Sequence, residues 1–412
     1  MQGSVNVLLR RGPCYDVRVL AVPPPPVPHL AHVMVDNGST PFLGDGKWLT
    51  TVSPNGDGFR DRALVHFTLS APARVSMNVV ETGTEKGDPE QPSIRVVERF
   101  PPRLLNAGFR TLVWKPAPAT APRTYQLRLH VFRGTVPTRV PVVRVQGIDA
   151  GFFEPSYAPG QQATLKVATD AKTLTFQVFA YSGGRFPTAR DLRTNGQAMT
   201  APARVDWTSH RDAPAVIDVV RPGDWPSGLY FLRISARDGR VGYAPFIVRP
   251  RTLGTHRIAV VLATQTWQAY NFADANSDGW GDSWYVSGRT HAIDLTRGYL
   301  DFGIPFRFDD WDLTFLTWLQ ESGKQVDFLS DEDLDGLTGD QLAADYELLA
   351  KESGGEVVTL GGLDSFVSSL PNRKIPHVET WSYPLWHQWS VLTLALACLV
   401  GEWGLRRWKG LA

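Results

Sequence analysis

The sequence predicts a multi-domain chain: two tandem all-β sandwiches, a partial α/β domain built on a parallel sheet, and one transmembrane helix. Three observations predict it. Period-two alternation of apolar residues occurs in two segments offset by 98 to 105 residues. The pattern then changes to a continuous apolar run followed by helix-period segments. The chain closes on an apolar stretch bracketed by tryptophans. With 43% hydrophobic and 20% charged residues, the 412-residue chain has the balance of a folded protein. Its net charge of +1 provides no global field for a nucleic acid, and no nucleic-acid partner is expected. Cys14 and Cys398 are the only cysteines, and the second lies in the apolar stretch, so no disulfide is expected.

Residues 1–45 read as an irregular entry segment, because Pro23 to Pro26 and Pro28 impose an extended stretch without ladder hydrogen bonds. Residues 46–147 and 148–250 read as the two sandwiches. In the first, Val65, Phe67 and Leu69 alternate, Ala71-Pro72 turns, and Val75, Met77 and Val79 alternate again. In the second, Ala163, Leu165 and Val167 are followed by Asp170-Ala171 and then Leu174, Phe176 and Val178. Thr124 to Leu129 parallels Leu229 to Ile234 near the end of each segment. One larger β-domain is the alternative. The segment Ser53-Pro54-Asn55-Gly56-Asp57-Gly58-Phe59-Arg60-Asp61 resembles the entry of fibronectin-III-like modules on bacterial surface proteins. That resemblance implies an immunoglobulin-like β-sandwich used for spacing or presentation.

Residues 251–370 read as the α/β domain. His256 to Ala263 ends in an apolar run, as in a parallel strand covered on both faces. Trp311 to Gln320 has a wide apolar helical face, with Gly323 as C-cap. Gln325 to Ser330 is the second strand, residues 339–346 are helical, 356–360 form a third strand and 361–370 a last helix. Strand–helix alternation implies an open parallel sheet, whose ligands bind beyond the carboxyl ends of the strands. Trp267, Gln268, Tyr270 and Asn271 follow the first strand and are the candidate catalytic or binding residues for a small polar ligand. A capped turn with buried aromatics is the alternative.

The stretch from about residue 256 to 349 resembles the C-terminal domain of the N,N-dimethylformamidase large (β) subunit family. The resemblance rests on Thr266-Trp267-Gln268-Ala269-Tyr270-Asn271, Asp301-Phe302-Gly303-Ile304-Pro305-Phe306 and Asp327-Phe328-Leu329-Ser330-Asp331. It implies a glutamine-amidotransferase-like α/β fold and hydrolysis of a small amide by one iron held by two tyrosines and a glutamate. Tyr270 matches the motif tyrosine, and Tyr299 is the candidate for the second. After Asp345-Tyr346-Glu347-Leu348-Leu349 the family continues into a Gly-His-x-Glu-Tyr-like segment, which this sequence lacks. From a junction near residue 350, the chain instead resembles the tail of bacterial membrane proteins with von Willebrand or amidotransferase-like domains. Incomplete catalytic equipment is therefore expected.

Asp274, Asn276, Asp278 and Asp282 place oxygens at loop positions 1, 3, 5 and 9 with Gly279 at 6, the start of a calcium loop, although Tyr285 replaces the acid at 12. An Asx-rich turn needing no ion is the alternative. Asn55, Asp57 and Asp61 copy the spacing more faintly. The run of Asp331, Glu332, Asp333 and Asp335 reads as a solvated helix start. The nine histidines form no HExxH motif or helical pair, so zinc is not expected.

Residues 371–384 read as a linker, 385–405 as the transmembrane helix and 406–412 as a basic tail. Twenty-one residues span about 30 Å as a helix. Trp386, Trp389, Trp403 and Trp408 mark its rims, and Arg406, Arg407 and Lys409 favour a cytoplasmic end. A buried core helix is the alternative. These features predict a single-pass cell-membrane protein, partnered by the lipid bilayer, with most of the chain extracytoplasmic. Met1 to Leu20 holds Arg10, Arg11, Asp16 and Arg18 without an apolar core, so an upstream start is expected, with a tail-anchored cytoplasmic chain as the alternative. Three functions remain open: a module binding a small amide, other polar ligand or calcium; an iron amidase; or a structural surface module.

Overall fold

The computed structural model describes residues 26–84, 92–181, 196–256, 258–286, 290–335, 365 and 389–410. The chain divides into two compact units, Met1–Gly355 and Glu356–Ala412.

The first unit opens with two facing sheets. One has the order β1-β3-β6, from Leu30–Asp36, Ala63–Leu69 and Gly108–Trp114. The other has the order β2-β8-β7-β4-β5, from Leu49–Val52, Val142–Val145, Arg123–Val131, Ala73–Thr84 and Pro92–Leu105. Val65 and Phe67 of β3 and Val75, Met77 and Val79 of β4 meet in one core, because alternation points every second side chain inward. A second pair of sheets follows. Asp149–Phe152, Ala163–Ala168 and Ala215–Val220 (β9, β11, β15) form the smaller, ordered β15-β11-β9. Ser156–Tyr157, Thr173–Tyr181, Gly196–Ala198, Ala203–Asp206, Gly228–Ala236 and Val241–Val248 (β10, β12, β13, β14, β16, β17) form the larger. Leu165, Val167, Leu174, Phe176, Val178 and Trp207 fill the core between them.

Both pairs use one corner device. Tyr125 Oη donates to the Ala121 carbonyl at 2.9 Å, and Tyr230 Oη donates to the Pro226 carbonyl at 2.7 Å. Each phenol ties the start of a central strand to the chain four residues upstream, as in the tyrosine corner of immunoglobulin-like sandwiches. Burial pushes the Tyr230 hydroxyl up to about 12.

Two corrections follow for the expected fold. The large sheets are mixed: β2 pairs parallel with β8, and β10 pairs parallel with β17. The expected α/β layer is reduced, among the described residues, to one parallel pair, β18 (Ala259–Leu262) with β19 (Asp327–Ser330). Among the described residues five short helices accompany it: Thr264–Ala269, Leu300–Gly303, Phe308–Trp311, Leu313–Glu321 and Asp331–Asp335 (α1–α5). Strand β18 alternates exposed and buried residues, so it is covered on one face only. Its inner residues Val260 and Leu262 pack with Trp267, Leu316 and Leu319 onto Leu229 and Ile247 of the larger second sheet. That sheet is thereby covered on both sides, which is why four consecutive residues, Leu229 to Leu232, are buried. The expected helix at 339–346, strand at 356–360, helix at 361–370 and junction near 350 lie outside the described residues, residue 365 excepted.

The second unit contains α6, Trp389–Trp408. The expected transmembrane helix, and the single-pass membrane placement built on it, are corrected: no helix among the described residues is long and apolar enough to cross a membrane. Glu402 and Arg406, paired at 2.7 Å, and Arg407 occupy its last turns. The uncharged part, 389–401, is about 20 Å long, well short of the roughly 30 Å hydrocarbon core.

Candidate functional site

Trp267, Gln268 and Asn271 lie on and just after α1, and all three are buried. Asn271 Nδ2 donates to the Gly298 carbonyl and to Gln268 Oε1, at 3.0 and 3.1 Å, while its Oδ1 accepts from the Leu300 and Ala273 amides. Gln268 Nε2 donates to the Arg297 carbonyl at 2.8 Å. Arg297, itself buried, binds the surrounding chain. Its Nη1 donates to the carbonyls of Ala273 and Asp282, and its Nη2 to those of Gln268 and Asn271. Four carbonyls from two segments converge on one guanidinium, whose rigid fork can serve them together. The amides expected to hold a ligand are thus spent on the fold. Trp267 Nε1 donates to Asp312 at 3.1 Å, and burial raises that carboxyl above its ordinary range.

Tyr270 stands apart from this network. Its ring lies against Tyr285, Trp311 and Phe306 at centroid distances of 4.7, 5.1 and 5.9 Å. Tyr299 meets Trp267 edge-on, and burial pushes its hydroxyl far up, so it stays protonated. The two tyrosines thus have separate ring neighbours. Among the described residues no group of three or more His, Cys, Asp or Glu side chains is arranged to hold a metal. The expected metal-binding character is corrected on these grounds.

The Asp274 loop is a series of Asx turns. Asp274 accepts from the amides of Asp278 and Gly279, Asn276 from Asp278, Asp278 from Trp280, and Asp282 from Ala275 and Asn276. Asn55 to Asp61 repeats the arrangement: Asn55 accepts from Asp57, Asp57 from Phe59, and Asp61 from Gly56 and Gly58. The shared pattern is Asn-x-Asp-Gly-aromatic-x-Asp. In both loops Gly58 or Gly279 takes a positive φ, 83° in each case. Both loops dock on another module. Gly279 presents its carbonyl to Thr82 and Gln126 of the first sandwich at 2.9 and 3.1 Å. Arg60, beside the first loop, donates to the Arg211 carbonyl and to Asp212 of the second. The carboxylates organise tight turns that lock modules together.

A groove of about 720 Å³, absent from the sequence-based expectations, lies between the larger second sheet and α4. It lies at the amino ends of β18 and β19, opposite the end where an α/β sheet places its ligands. Trp225, Tyr181, Lys324, Gln325 and His256 line it. His256 Nδ1 is 2.7 Å from Oδ1 of the buried Asp327, whose Oδ2 accepts the His256 amide at 3.1 Å. Trp225 stacks on Tyr230 at 5.3 Å. The signal in the sequence is the Asp327 carboxylate directly ahead of Phe328 and Leu329, a residue a buried position tolerates only with a partner.

Residues 176–365 match the family described as "N,N-dimethylformamidase beta subunit-like, C-terminal", and a dimethylformamidase β-like domain is present in the chain. The match begins within β12. No curated protein matches. Among solved structures, the Yersinia pseudotuberculosis adhesin InvE is similar at 15% identity and a TM-score of 0.18, over 53% of this chain and 59% of that one. Escherichia coli alpha-2-macroglobulin activated by porcine elastase is similar at 10% identity and a TM-score of 0.21, over 53% of this chain and 20% of that one. The IG1+IG2 portion of DIP-gamma is similar at 10% identity and a TM-score of 0.18, over 55% of this chain and 99% of that one. The chain thus spans less than two thirds of the adhesin and about a fifth of the macroglobulin.

Proposed function

We propose that the chain is a binding protein whose dimethylformamidase-like domain holds a small polar ligand, such as an amide, without hydrolysing it. The observation that carries this reading is the groove at His256. Its volume of about 720 Å³ falls in the range of small-molecule sites. Asp327 holds Nδ1, which leaves Nε2 as the ring nitrogen for a ligand oxygen or N–H. Trp225 and Tyr181 provide apolar walls, and Lys324 and Gln325 polar ends. Hydrolysis lacks support because Gln268 and Asn271 are consumed by Arg297, Gly298 and each other.

The test is calorimetric titration of the full chain with N,N-dimethylformamide and acetamide, with dimethylamine release followed in parallel. Saturable heat that disappears in His256→Gln, with no dimethylamine formed, is the expected result. Dimethylamine release that survives His256→Gln would overturn the reading in favour of an amidase. Absence of heat with both probes would leave a structural module.

A further inference from the structure

We propose that a second cleft, formed where residues 276–280 meet the first sandwich, binds an acidic oligosaccharide. The cleft encloses about 520 Å³ and lies in the first unit, lined by the first sandwich and the Asp274 loop and by none of the residues that line the His256 groove. Three cations line it: Lys47, Arg128 and Arg139. Among the described residues, none of the three has a carboxylate within ion-pair distance. Two tryptophans accompany them. Lys47 Nζ and the Arg139 guanidinium stand 5.5 and 5.4 Å from the centroid of Trp48, and Arg128 stands 6.0 Å from Trp280.

Each feature selects for part of the ligand. Unpaired cations converging on one cleft favour anionic groups, and the arginine forks suit carboxylates in particular. Arg128 donates through Nε and Nη2 to Gln126, which fixes its plane and leaves Nη1 for a ligand. Trp48 and Trp280 line the cleft, and the indole surface that the cations leave uncovered is flat and apolar, a match for the C–H face of a sugar ring. Asp278, Asn276 and Thr138 add an acceptor, an amide and a hydroxyl at the rim, suited to a ligand rich in hydroxyls. A nucleic-acid strand also stacks on tryptophan, but it needs cations tracking along a backbone, and here two of the three gather around one indole. A bare polyphosphate has no C–H face to lay on the indoles and no hydroxyl to donate to Asp278.

The experiment titrates the full chain by calorimetry with oligogalacturonate, cello-oligosaccharide of matched length, inorganic polyphosphate and single-stranded RNA. Oligogalacturonate is expected to bind saturably, the neutral sugar not to bind, and added salt to weaken binding by screening. Lys47→Gln with Arg139→Gln, both exposed positions, is expected to weaken binding at least tenfold with an unchanged melting temperature. Trp48→Phe retains an aromatic ring in the first core and is expected to weaken binding less than Trp48→Ala. The proposal is overturned if oligogalacturonate gives no heat. It is equally overturned if polyphosphate or RNA binds as tightly and neither Trp48 variant changes the affinity. His256→Gln leaves this binding intact, so its outcome is separable from that of the groove.

Discussion

Arg297→Met unfolds the dimethylformamidase-like domain while leaving the first sandwich intact. The guanidinium is the common donor to the carbonyls of Gln268, Asn271, Ala273 and Asp282. Methionine fills comparable volume but donates nothing, so buried carbonyls lose their partners. Leaving one buried acceptor unsatisfied costs about 1–3 kcal/mol, and several share this donor. A loss of about 3–5 kcal/mol is expected, a large part of the margin of a typical domain. Limited proteolysis checks it: cleavage is expected around residues 264–300 in the variant, with residues 30–145 still protected. Arg297→Lys restores at most a fraction, since an ammonium cannot span four carbonyls in the plane of a fork.

The second expected effect depends on pH. The Asp274 carboxyl is pushed up to about 6, chiefly by burial. The Thr124 hydroxyl and Gly279 amide oppose the rise, and the carboxylates of Asp278 and Asp282 add to it. Because the folded value lies above the unfolded one near 3.8, the folded state binds the proton more tightly. The resulting stabilisation is fully present below about pH 4 and is lost as pH rises through about 6. At about 1.4 kcal/mol per unit, the swing is on the order of 2–3 kcal/mol. Asp274→Asn removes the titration. Relative to the wild type, the variant's melting temperature is expected to rise between about pH 4 and pH 7. A difference that stays constant across that window would contradict the account. The loop docks on Thr82 and Gln126, so the same pH change loosens the contact with the first sandwich.

Much of the β architecture was legible because period two encodes a buried face directly: Val65, Phe67 and Leu69 point inward from β3 for the reason that made them visible in the sequence. The parallel pairings of β2 with β8 and β10 with β17 were not legible, since alternation does not specify a partner strand. Val260 to Leu262 misled because a short apolar run reads alike whether one face or both are covered, and here Val261 remains 36% exposed. The C-terminal helix misleads because its tryptophan rims resemble those of a membrane span while Glu402, Arg406 and Arg407 shorten the apolar part. At the candidate site, the motif around Gln268 is a contiguous string that can be read locally, but its partner Arg297 is 29 residues away and carries no periodic signal. Carboxylates at metal-loop spacing were equally ambiguous, because a tight turn and a cation both call for oxygen acceptors on successive short side chains.

Hydrogen–deuterium exchange over peptides 264–272 and 295–300 tests the central claim most directly. The amides of Trp267, Tyr270 and Asn271 are bonded to Ala263, Thr266 and Gln268, inside the shell that Arg297 closes. If this segment is a structural keystone, it exchanges only as slowly as the sandwich strands β12 and β16, with or without added amide. Exchange within seconds in the free protein, slowed sharply by N,N-dimethylformamide, would mean instead that the segment is an open site that closes on substrate.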